Sequence, residues 1–177
     1  MLTALQLIKD QLKDARETFE STVADLQEEH LHKDPGGKAF PLAGTYAHLI
    51  FSEDMIINGM IQGKATLSSV TWKDKTGVSE PMPPFDENWE KAHHQWSKTA
   101  KVDLAKLREY SQAVYAATDA YVASLKDEDL EKLIDLGPMG QKTVANLLSG
   151  FVIGHTYSLT GEISVLKGIQ GVKGYPF

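Results

Sequence analysis

The stretch LQLIKDQLKDARETFESTVADL, residues 5–26, places apolar side chains at Leu5, Ile8, Leu12, Ala15, Phe19, Val23 and Leu26, at intervals of three or four. Recurrence at that spacing puts them on one face of an α-helix, so the segment predicts an amphipathic rod that buries one side. At 3.6 residues per turn the rod is about six or seven turns long. Thr3, with Gln6 three residues later, has the pattern of a capping box at its start.

The same period returns three more times. HKDPGGKAFP, with Pro35, Gly36, Gly37 and Pro41, ends the first segment, and a second helix is expected from Pro41 to about Gly63. Within it Leu49, Ile56 and Met60 form an apolar stripe, while Gly44, His48 and Ser52 form a neighbouring small and polar stripe positioned to line a pocket. Residues 64–85 hold three of the seven prolines and no lasting period, which predicts a long connection. Asp86 is a reasonable cap for ENWEKAHHQW, and a third helix follows from Asp103 through Leu104, Leu107, Val114, Ala117, Tyr121 and Leu125. Asp127 is placed to cap DEDLEKLI, DLGPMGQKT reads as a tight turn or small hairpin, and Thr143 caps a last long helix reaching about Gly168. Strand-like alternation is nearly absent. The fold class is therefore all-α, a four-helix bundle with a long crossover between helices 2 and 3, forming one domain over residues 1–177.

Composition narrows the function. The net charge of −6 and the absence of a basic run argue against sequence-independent nucleic-acid binding, which needs clustered Lys and Arg. No cysteine is present, so thiolate nucleophiles and thiolate-bound metals are excluded and any metal must use His, Asp or Glu. The N-terminus mixes charges into its apolar residues, and TVANLLSGFVIG (143–154) is too short to cross a bilayer; a cytoplasmic protein without membrane partners is expected. There is no GxGxxG and no phosphate-binding Gly-Lys-Ser/Thr.

His48 and His155 are embedded in apolar helices, and bundles build metal sites from side chains on facing helices. Each alone is more often a hydrogen-bonded core histidine. His93 and His94 stand beside Trp89 and Trp96 near the expected pocket mouth but point to different faces of a helix. His30 and His32, in EEHLHKD, read as surface residues at a helix end.

PGGKAFPLAGTYAHLIFSED and HTYSLTGEISVLKGIQGVKGYPF resemble the second-helix entry and the last helix of the DinB/YfiT-like superfamily. The resemblance implies a triad of histidines, one on the second helix and two in His-x-x-x-His-x-Gly-Glu/Gln on the last. His48 and His155 match two of them, Gly161 and Glu162 match the end of the motif, and the third falls on Leu159, which ligates nothing. Two histidines alone hold a divalent ion (Zn, Ni or Mn) weakly or not at all, unless Glu53, His93 or His94 substitutes. Two functions follow. One is a degenerate-site protein that binds a small molecule, or a dimeric interaction protein, with Gly44, Ser52 and Leu159 lining the old cavity. The alternative is a metal-dependent hydrolase or thiol transferase using His48 and His155, a substitute third ligand, and Glu162 as a supporting carboxylate. The resemblance also implies a homodimer.

Overall fold

The structure, a computed structural model, describes residues 2–177. Among the described residues it is all-α but for one small hairpin and an isolated antiparallel bridge between Val78 and Val102. Helix α1 spans Ala4–Val23, and the face predicted from the period is the one buried: Leu5, Ile8, Leu12, Ala15, Phe19 and Val23. Only half of the expected capping box forms. Thr3 Oγ1 accepts from the Gln6 backbone N–H at 3.2 Å, but the Gln6 side chain donates to Asp10 instead of turning back. Asp127 does not cap its own segment either; its carboxylate accepts from the Leu5 backbone N–H at 2.9 Å and closes α1 from 122 residues away.

After the short α2 (Glu28–Leu31), the second rod runs as α3 (Leu42–Asp54) and continues as a π-helical segment, Met55–Ile61. In that segment the Gln62 N–H reaches back five residues to the Ile57 carbonyl. Helix α4 (Trp89–Thr99) lies on the crossover, and α5 (Leu104–Ser124) is capped by Asp103, which accepts from the Lys106 N–H. Strands β1 (Leu133–Asp135) and β2 (Gln141–Thr143) form the antiparallel hairpin expected near Gly137, with Leu133 opposite Thr143. The last rod has three parts: α6 (Val144–Asn146, capped by Thr143), a second π-helical segment (Leu147–Gly154), and α7 (His155–Ile169). Helix α1 packs on α7, and α3 packs on α4, α5 and α7.

The apolar core has two parts. One gathers Phe19, Tyr46, Leu107, Tyr110 and Ile163; the other gathers Leu5, Leu12, Ile57, Val122 and Leu147. The long crossover is not a loose loop. Asp54, fully buried, accepts from Asn58 Nδ2 (2.8 Å), the Leu67 and Ser68 backbone N–H groups (2.9 and 3.0 Å) and Tyr110 Oη (2.6 Å). One carboxylate thus fastens the start of the crossover to α3 and α5. Its far end is fixed at Gly77, where φ is +81° and an added Cβ would strike the Leu107 nitrogen and the Asp103 carbonyl, so only glycine fits.

Candidate functional site

Three imidazoles meet at the junction of α3, α4 and α7. His48 lies mid-way along α3, His93 on α4, and His155 at the point where the second π segment gives way to α7. His48 Nδ1 and His93 Nε2 are 2.9 Å apart, and the ring centroids are 4.3 Å apart. The His155 ring stands 5.0 Å from that of His48, nearly edge-on at 82°. Each of the first pair also has a serine one turn further along its own helix, Ser52 Oγ at 3.3 Å from His48 Nδ1 and Ser97 Oγ at 3.3 Å from His93 Nε2. Trp89 stacks on His93 at 4.6 Å and holds its ring plane.

Helix α4 reaches α3 because Gly44 has no side chain. A Cβ there would fall on the Ser97 backbone carbonyl. Gly44 precedes His48 by one turn and Ser97 follows His93 by one turn, so the two helices run antiparallel with glycine opposite serine and histidine opposite histidine.

Burial keeps all three imidazoles neutral near pH 7. His48 is pushed down to about 3, first by burial and then by the neighbouring His93 and His155. His93 is lowered by burial and by His94, and His155 by burial and by His93. A histidine whose pKa is depressed on folding binds its proton more readily in the unfolded chain. Its contribution to stability is therefore complete above about pH 6.5 and is lost as the pH falls. Urea unfolding should show stability falling by roughly 1.4 kcal/mol per pH unit from His48 alone below about pH 6. Glu20, raised by burial, works in the opposite direction. The comparison is therefore with His48→Gln, whose stability should fall less steeply between pH 6.5 and 5; equal slopes would overturn the assignment.

Beside the imidazoles opens a cavity of about 600 Å³. His48, Ser52, Met55, Ile56 and Met60 form one wall, and Asn146, Gly150, Phe151, Gly154, His155 and Ser158 the facing one. Phe85 and Trp89 of the crossover and Met139 of the hairpin complete it. Both walls draw on the π-helical segments, whose wider turns recur at functional sites. None of the described lining residues is Lys, Arg, Asp or Glu.

Several expectations are corrected. Of the three residues expected to line the pocket only Ser52 does so. Gly44 is packed under α4, and Leu159, 7% exposed, is part of the apolar core. Glu162 is exposed and does not line the cavity, which leaves it without contact to the imidazoles as a supporting carboxylate. Glu53 is removed as a substitute ligand because its carboxylate accepts from Arg16 at 2.6 Å and Thr118 at 2.7 Å. His94 is exposed against Phe40, while His30 Nδ1 accepts from the Gln27 N–H to close α2. The cavity's Met55, Phe85, Met139 and Phe151 were not singled out by the sequence. The i, i+4 pair Trp89 and His93 was the one available signal for the crossover's part in the site.

The sequence pattern of the DinB superfamily matches residues 11–158. The chain belongs to the DinB superfamily. The match stops at Ser158, one residue before Leu159. Among solved structures, this DinB-superfamily chain is similar to a conserved protein from Enterococcus faecalis, with a TM-score of 0.76 and 21% identity over 96% of this chain and 98% of that one. Agreement at that identity concerns the fold. No curated protein matches the chain.

The donors at the site suit the divalent ion that membership implies. Neutral imidazoles bind zinc and nickel well, whereas manganese favours carboxylates, of which the cavity wall has none. As the side chains stand, His48 and His93 share a hydrogen bond, and among the described residues no three His, Asp or Glu groups are laid out ready for an ion.

Proposed function

We propose that this DinB-superfamily protein binds a small, uncharged, largely apolar molecule in the cavity between the two π segments, with the molecule's polar group against His48 and His155. The observation that carries this reading is the lining. Methionine, isoleucine and aromatic side chains make the walls, neutral imidazoles and serine hydroxyls make one polar end, and no charged side chain is present to compensate an ionic ligand. The volume is that of pockets for small organic ligands. The homodimer implied by the family belongs to the same proposal, supported by Val165 and Ile169, which lie exposed one turn apart on α7.

The test uses Gly150, which lines the cavity and whose added Cβ meets nothing within 4 Å. Gly150→Phe should fill the cavity without disturbing the bundle. Titration with the neutral solvatochromic dye Nile red is expected to show saturable binding by the parent and a loss of about tenfold or more in the variant, with the thermal midpoint unchanged. Equal dye binding by both proteins would overturn the proposal.

A second reading, a metal-dependent hydrolase or thiol transferase, is favoured by the position of His93. An ion held there would supply a lowered pKa for a bound water or small thiol. The apolar cavity would orient the electrophile beside it.

A further inference from the structure

We infer that the cavity is a slot for one extended, unbranched aliphatic chain with a neutral hydrogen-bonding head group, of which a straight-chain alcohol is the simplest member. The inference rests on the small-molecule reading above and names the shape and class of the molecule.

The shape follows from the spacing of the lining residues. On the second rod they are His48, Ser52, Met55, Ile56 and Met60, and on the last rod Asn146, Gly150, Phe151, Gly154, His155 and Ser158. Successive residues in each set are one, three or four positions apart, so each set is a single helical face spanning twelve residue steps. The rods run antiparallel. Helix α3 packs on α7 and the first π segment on the second, which brings His48 beside His155 and puts Met60 at the Asn146 end. At 1.5 Å per residue the facing walls run about 15–18 Å, whereas a round chamber of 600 Å³ would be about 10 Å across.

Chemistry is graded along that length. His48, Ser52, His155 and Ser158 gather at one end, and Trp89, its ring centroid 6.3 Å from that of His48, covers that end with Phe85 beside it. Beyond them the walls are Met55, Ile56, Met60 and Phe151, joined by Met139 of the hairpin that leads into α6. Three of the chain's five methionines thus line one cavity. Methionine side chains are unbranched and flexible, so they shift to fit chains of differing length and fill the space that a short one leaves. Burial keeps His48 and His155 uncharged. A neutral imidazole offers one N–H and one lone pair, the complement of a hydroxyl, whereas a carboxylate head would need a cation that the described lining residues do not supply.

The experiment is calorimetric titration of the full chain with 1-hexanol, 1-octanol, 1-decanol and 1-adamantanol, beside the Nile red titration. Affinity is expected to rise about threefold to fourfold per added methylene from hexanol to decanol. Adamantanol holds the carbon count of decanol in a compact cage, and decanoate differs from decanol at the head alone; each should bind about tenfold or more weakly than decanol. Gly150→Leu puts a side chain part-way along the slot, at a position where an added Cβ meets nothing within 4 Å. It should leave hexanol affinity within about twofold and weaken decanol by about tenfold or more, with the far-UV spectrum and thermal midpoint checking the fold. No gain with chain length, adamantanol or decanoate equal to decanol, or unchanged decanol affinity in the folded Gly150→Leu variant would overturn the inference. If Nile red saturates the cavity while these comparisons fail, the pocket stands and the extended shape falls. If neither the dye nor any of the alcohols binds, the reading beneath the inference falls with it.

Discussion

Asp54→Ala is expected to lower the unfolding free energy by about 3–5 kcal/mol, enough to leave a marginal domain partly unfolded at 37 °C. The carboxylate has no exposure and accepts from four donors, two of them backbone N–H groups at the start of the crossover. Truncation leaves the Leu67 and Ser68 amides and the Tyr110 hydroxyl without their acceptor inside the protein. An unpartnered buried polar group costs about 1–3 kcal/mol. Asp54→Asn should recover part of the loss, since the amide keeps one acceptor oxygen and turns a donor toward groups that are themselves donors. Urea unfolding curves for the two variants and the parent decide the matter. A decrease below about 1 kcal/mol for Asp54→Ala would mean that the crossover is held by its other contacts.

Gly44→Ala is expected to have the second large effect, and to express it at the functional site. The added methyl would occupy the place of the Ser97 carbonyl, a backbone atom that no rotamer change can move aside. Overpacking of this kind costs about 1–3 kcal/mol. Its main consequence is displacement of α4, which carries His93 away from His48 and loosens Trp89 over the cavity. The variant should therefore lose Nile red binding, although no residue touching the probe has changed. Retention of that affinity in a folded Gly44→Ala protein would show that α4 does not set the site.

The bundle was legible because it is written in spacing. Leu5, Ile8, Leu12, Ala15, Phe19 and Val23 are the buried face of α1, and the caps at Asp103 and Thr143 fall where a helix begins; Pro35–Gly37 lies in the loop between α2 and α3, while the first helix already stops at Val23. The site was legible in part. His48 and His155 stand out as lone histidines in apolar helices and come within 5.0 Å of each other. His93 was only one of several substitutes, because its distance from His48 depends on how the crossover folds back, and that is set by Asp54, Gly77 and Gly44 acting through contacts 13 or more residues away in the chain. Gly44 was misplaced for a related reason. A small residue on a helical stripe reads equally as open space beside a ligand or as room for another helix, and only the packing partner distinguishes them.

The two π-helical segments bear on how such a pocket changes over generations. A π turn accommodates an extra residue while the α-helix on either side keeps its own register, so each segment is a point at which the chain can gain or shed a residue with the flanking core faces still aligned. Met55–Ile61 and Leu147–Gly154 form opposite walls of the same cavity. Its width is thus adjustable by insertion and deletion as well as by substitution, a kind of variation that a rod with strict 3.6-residue periodicity does not tolerate.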